Sequence, residues 1–200
     1  MQLSVLARNN LLEAIELAYI GQTLSAGTGT GGSITGTAAA AKLRFHTGTM
    51  PANCAAARTG TQLVDMTLPA DLMSVAASGS KALNGSWQAA ASAAGLAGYY
   101  SIMDNAGTTC HEQGLLSQPW AASTAYVLNQ QVHNGGNVYR CTTAGTSAVS
   151  GGPTGTGTGI TDNTAVWAYV GPQDIALDNT SIASGQTVTI TSKSLTAPNA

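Results

Sequence analysis

The 200-residue chain carries only 8% charged residues, 24 glycines and a formal net charge of −2. Its length allows one or two domains with a buried core, yet the charged fraction lies far below the roughly one quarter usual in soluble domains. The basic residues Arg8, Lys42, Arg44, Arg58, Lys81, Arg140 and Lys193 are scattered, so nucleic-acid binding lacks its electrostatic footprint, and no apolar run reaches the length of a membrane span.

From the N-terminus, "MQLSVLARNNLLEAIELAYI" predicts a helix or arm over residues 1–20. Leu3, Ala7, Leu11, Ile15 and Ala18 recur at spacings of three and four, and Gly21 supplies a stop. A free helix of that length is marginal, so this apolar face is expected to dock on the body or on a neighbouring subunit. Glu13 and Glu16 interrupt the segment, and no basic start precedes an apolar block, so it does not read as a signal peptide. Synthesis in a cytoplasm is expected. Residues 21–41 read as a Gly/Thr/Ala-rich linker or surface loop. The "GTGTGG" run within it lacks the Lys-Ser/Thr ending of a phosphate loop.

Strand signals begin at "AKLRFHT", where Leu43 and Phe45 face one way and Lys42, Arg44 and His46 the other. "TQLVDMTLP" reads as a strand ended by Pro69, and Trp87 as a core anchor. "AGYYSIMDNAGTTCHEQG" predicts a hairpin turning at Asp104-Asn105-Ala106-Gly107, and "TVTITSKSLT" a last full-length strand. The predicted fold is mainly β: the N-terminal helix, then a β-sandwich or jelly-roll-like body over 42–116 and 172–200.

Between these body segments the composition changes. Trp120, Tyr126, Tyr139, Trp167 and Tyr169 place five of the ten aromatics between Gly114 and Pro172. Residues 117–171 are therefore expected to form a small inserted β module, built from "YVLNQQVHN", "NVYRCTT" and "AVWAYV". Its ends must lie close together, as insertion into a hairpin requires. Some of these rings must form the module's core, because so small a unit buries little else.

Catalytic chemistry is not expected. His46, His111 and His133 stand apart, and the one close couple, His111 with Glu112, would point to opposite faces of a strand. Cys54, Cys110 and Cys141 lack zinc-site spacing, so neither a metal nor another cofactor is expected. Free thiols and a Cys54–Cys110 bridge formed after oxidation both remain open.

Two resemblances extend this reading. The stretches "ARNNLLEAIE", "AKLRFHTGTMPANCAAARTGTQLVDMTLP", "ASGSKALNGSW", "AGYYSIMDNAGTTCHEQG" and "DIALDNTSIASGQTVTITSKSLT" resemble a family of small tailed-bacteriophage virion proteins encoded among head and tail genes. The resemblance implies a structural, non-enzymatic virion protein. Foremost is a capsid decoration (cement) protein on the capsid surface, with the major capsid protein and neighbouring copies of itself as partners. A tail, neck or fibre component is the alternative. Residues 117–171 are similar to chitin-type carbohydrate-binding modules through Trp120, Tyr126, Val132, Gly136 with Tyr139, and Trp167. Gln130-Gln131 stands where that family has Gly-Asp, and "TSAVSGGPTGTGTGITDN" is longer than its counterpart. That similarity implies host surface glycans as a partner and Trp120, Tyr126, Tyr139 and Trp167 as carbohydrate-binding residues. Gln130, Gln131, Asn134 and Asn137 are the expected polar neighbours.

Overall fold

Residues 3–25, 33–35, 39–69 and 71–197 are described by the computed structural model. Among the described residues the chain is mainly β with one helix, α1 (Val5–Tyr19). Before the body come two short paired strands, β1 (Thr23–Ser25) and β2 (Ser33–Thr35); the "GTGTGG" run lies outside the described residues. No helix among the described residues is long and apolar enough to cross a membrane.

The first part of the body comprises β3 (Lys42–Thr47), β4 (Gln62–Thr67), β5 (Ser80–Ala82), β6 (Gln88–Ala90), β7 (Gly95–Met103) and β8 (Cys110–Pro119). β3 lies between β4 and β7, with Leu43 opposite Ile102 and Phe45 opposite Tyr100, so the apolar alternation of both strands fills one interior. The β7–β8 hairpin closes through Asp104, whose carboxylate accepts the amides of Thr108 at 2.6 Å and Thr109 at 3.1 Å. Gly107 takes φ +72 there, and a Cβ on it would collide with the Arg44 guanidinium that packs on the turn.

β8 changes partners along its length. Its first half pairs with β7, while Leu116 and Ser117 run parallel to β15 (Ile175–Leu177). β15 in turn pairs with β17 (Thr187–Thr196), which carries β5 and β6 on its other side, and β16 (Ser181–Ile182) pairs with the start of β7. Trp87, Tyr100, Leu116, Ile175 and Ile190 belong to one buried cluster spanning these strands.

α1 docks on this body by a face that periodicity selected only in part, through Ile15, which packs against the core. Leu12, Glu16 and Tyr19 are buried, whereas Ala7, Leu11 and Ala18 are exposed and Leu6 is 70% exposed. The reason is charge pairing. Lys81 on β5 is only 2% exposed, and its ammonium meets Glu16 and, at 2.5 Å, Glu13. Glu16 also accepts the amides of Leu72 and Met73, and Glu13 that of Ala76. Burial alone would raise the Glu13 carboxyl; its hydrogen bonds from Lys81 and Ala76 outweigh that and hold it below its ordinary value. One turn on, the Tyr19 hydroxyl donates to Glu112, which also holds the buried Lys193 ammonium and the Tyr100 hydroxyl. Glu112 is thus a counter-ion to the buried Lys193, and the His111 ring beside it lies 6.3 Å from that of Tyr19 with its Nε2 unpartnered among the described residues.

Candidate functional site

The aromatic segment forms its own hydrophobic cluster. Its strands are β9 (Ala125–Tyr126), β10 (Gln131–Asn134), β11 (Asn137–Thr143), β12 (Gly145–Thr146), β13 (Ile160–Asp162) and β14 (Ala165–Pro172). β10, β11, β14 and β13 pair in that order, and β9 pairs with β12. β-branched and aromatic residues on β11 and β14 bring Tyr139 opposite Tyr169 and Cys141 opposite Trp167. Tyr126, Val132, Tyr139, Cys141, Ala165 and Trp167 are the buried set of this second core.

Three of the four rings selected for sugar stacking are therefore structural. Trp167 is 0% exposed, and Tyr126 meets it edge-on with ring centroids 4.9 Å apart. Tyr139 is buried as well, and its hydroxyl donates to Gly155 O at 3.0 Å. A ring without an open face has no surface to offer a pyranose. Trp120 is half-buried at the cluster's edge, and the Gly-rich loop after β12 lies on it: a Cβ at Gly152, already at φ +72, would come within 2.9 Å of the indole. Tyr169 is the other half-buried ring.

Asp162 organises this core and carried no signal in the sequence, where it reads as one more turn residue. Its buried carboxylate accepts the indole N–H of Trp120 at 2.8 Å and of Trp167 at 3.1 Å, together with the Ala148 amide at 2.8 Å. Asp162→Ala leaves both indole N–H groups and the Ala148 amide without their acceptor and is expected to cost about 2 kcal/mol of module stability. Hydrogen exchange is the check: faster exchange across β11 and β14 with β3 and β7 unchanged is expected, and uniform acceleration through both regions would contradict a separate second core.

The four polar candidates divide. Gln130 and Gln131 are buried and join the module to the body, while Asn134 and Asn137 are half-buried on the module. The Gln131 side chain donates to Gly98 O at 2.6 Å and Leu116 O at 2.9 Å. Gln130 donates to Gln118 Oε1, which also accepts from the Thr180 amide and hydroxyl at 2.9 Å. Asn134 is committed to holding the Gly-rich loop through Gly151 O and Pro153 O.

Where the module meets the body there is a cleft of about 480 Å³, walled by Met50, Leu96, Leu115 and Val170 with Gln131 and Arg140. This is the size range of a small-molecule site, and Arg140 is the charged side chain among its lining residues. The chain matches no protein-family model, no curated protein and no solved structure.

Proposed function

We propose that the protein is a structural virion protein of a tailed bacteriophage, a capsid decoration protein made in the host cytoplasm and carried on the capsid surface. Its body, read as a β-sandwich or jelly-roll-like unit, binds the major capsid protein and neighbouring copies. Its aromatic module projects outward. The observation that carries this reading is a second hydrophobic core hung between neighbouring strands of the first. The chain leaves the body along β8 and returns in β15, whose Ile175 pairs with Leu116 and Ala176 with Ser117. An element so attached adds a display surface without interrupting the body's own packing.

Support also comes from the resemblance of the flanking segments to virion proteins and from the low surface charge, which suits a chain packed among many copies. Decoration of this kind stabilises a lattice through many weak contacts held together. Within this reading, contact with host glycans falls to the half-buried edges of Trp120 and Tyr169 rather than to the interior rings. Ser117 is buried and paired with Ala176, so the excisable unit is 120–171 rather than 117–171.

Cryo-EM of virions carrying either the full chain or a chain with 120–171 replaced by a short Gly/Ser turn tests the proposal. Density at capsomer junctions is expected for both, with the outermost knob missing from the second. Density on the tail or neck would favour the adhesion alternative, and a shortened chain that no longer joins the virion would overturn the module as an attached display element. Virions lacking the knob should also lose retention on host polysaccharide; equal retention removes the glycan role.

A further inference from the structure

Cys54 sits in the loop between β3 and β4, and Cys110 opens β8, 56 residues later. Their sulfurs lie 2.8 Å apart as free thiols. Hydrogen bonds on either side hold this approach without help from the sulfurs. Asn53 Oδ1 accepts the amides of Ala55 and Ala56, Arg58 donates to Cys54 O at 3.0 Å, and the Gln113 side-chain Nε2 donates to Pro51 O at 2.6 Å. At the far end of the loop, Tyr99 bonds both the amide and the carbonyl of Thr59. The loop is fastened to β7 and β8 before any covalent link exists.

We propose that Cys54 and Cys110 are an intramolecular disulfide site, closed by exchange with a small-molecule disulfide such as oxidised glutathione. One protein thiol loses its proton and attacks a glutathione sulfur, releasing one glutathione thiolate and leaving a mixed disulfide. The second loses its proton and displaces the remaining glutathione. Two protein thiols and one glutathione disulfide thus become one protein disulfide and two glutathione thiols. Burial, followed by the neighbouring Cys54 sulfur, pushes the Cys110 thiol up to about 11, so closure speeds up as pH rises from neutrality. In a reducing cytoplasm the pair stays open, and release into an oxidising medium closes it. Cys141 is buried in the second core and stands outside the reaction. The inference does not depend on the virion reading.

The full chain, purified reduced and then treated with oxidised glutathione, supplies the test. The product should lose two hydrogens in mass, keep one alkylatable thiol after denaturation, and give a peptide linking Cys54 to Cys110. Its melting midpoint should rise on the order of 5–10 °C, because closing a long loop restricts the unfolded chain. Cys54→Ser and Cys110→Ser chains should show neither the link nor the rise. A link through Cys141, a link between two chains, or full alkylation at all three cysteines would overturn the proposal. So would an oxidised chain that melts no higher than the reduced one.

Discussion

Removing residues 1–20 will abolish cooperative folding of the body, and Glu16→Ala alone will cost about 3–5 kcal/mol in denaturant unfolding, the range for breaking a buried ion pair. Lys81 is buried on β5 and, among the described residues, meets its carboxylate partners on α1, where Glu13 and Glu16 both reach its ammonium. Without the helix the ammonium stays in the interior unpaired, the Leu72, Met73 and Ala76 amides lose their acceptors, and Glu112 loses the Tyr19 hydroxyl. Burial would lower the Lys81 ammonium, but its hydrogen bonds to Glu13 and Glu16 hold it above its ordinary value, so its stabilising contribution is present below that value and is lost only in strong alkali. Glu13 is held low, so its contribution is present above the ordinary carboxyl range and disappears as pH falls through the folded value. Replacing Lys81 along with Glu13 and Glu16 by apolar residues should recover part of the loss, because no ammonium is then left buried without its carboxylates, while the Leu72, Met73 and Ala76 amides stay without their acceptors. If the shortened chain melted like the parent, α1 would be an arm for a neighbour and not part of this core.

Acidification from pH 7 to pH 4 will destabilise the protein by about 3 kcal/mol through His46 alone, and His46→Phe will remove that fraction of the loss. The ring is 4% exposed, stacks on Tyr99 at 5.1 Å, and has no hydrogen-bond partner among the described residues on either nitrogen. Burial, with the positive charges of Arg44 and Arg58 and against the weaker attraction of Asp65, lowers it from 6.5 to about 4. Between those values the unfolded chain binds a proton that the folded chain refuses, so stability falls as pH falls. His133 is also lowered by burial and contributes with the same sign. Asp174, raised by burial, works the other way. Burial would raise Asp104, but its hydrogen bonds from Thr108 and Thr109 together outweigh that and hold it at about 2, so its loss comes at lower pH. Urea melts across this range are the measurement; an unchanged slope between pH 4 and 6.5 in His46→Phe would show that another group carries the effect.

Much of the local architecture was legible because it depends on neighbours in sequence. Alternation across Lys42–Thr47 and Thr187–Thr196 specifies strands wherever the partners lie, and Asp104 through Gly107 carries the turn chemistry of its own hairpin. Trp87 reads as a core residue because few other side chains here match its volume, and it is buried. The composition change after Gly114 marks the segment that builds the second hydrophobic cluster.

What tertiary structure decided were the pairings whose partners lie far apart. The docked face of α1 carries Glu13 and Glu16 because Lys81 arrives more than sixty residues later, and a periodicity that counts carboxylates as solvent-facing selects the neighbouring face, of which Ile15 packs on the core. The aromatic motif of the module is equally suited to a sugar platform or a core. Asp162, accepting both indole N–H groups, settles Trp167 inside and holds Trp120 at the edge. Gln131, a departure in the motif, ties the module to Gly98 and Leu116 of the body. Cys54 and Cys110 meet only because the β3–β4 loop folds onto β8. Local sequence sets which conformations each segment can adopt, but the compensation of a buried charge or donor depends on the group that packing brings to it.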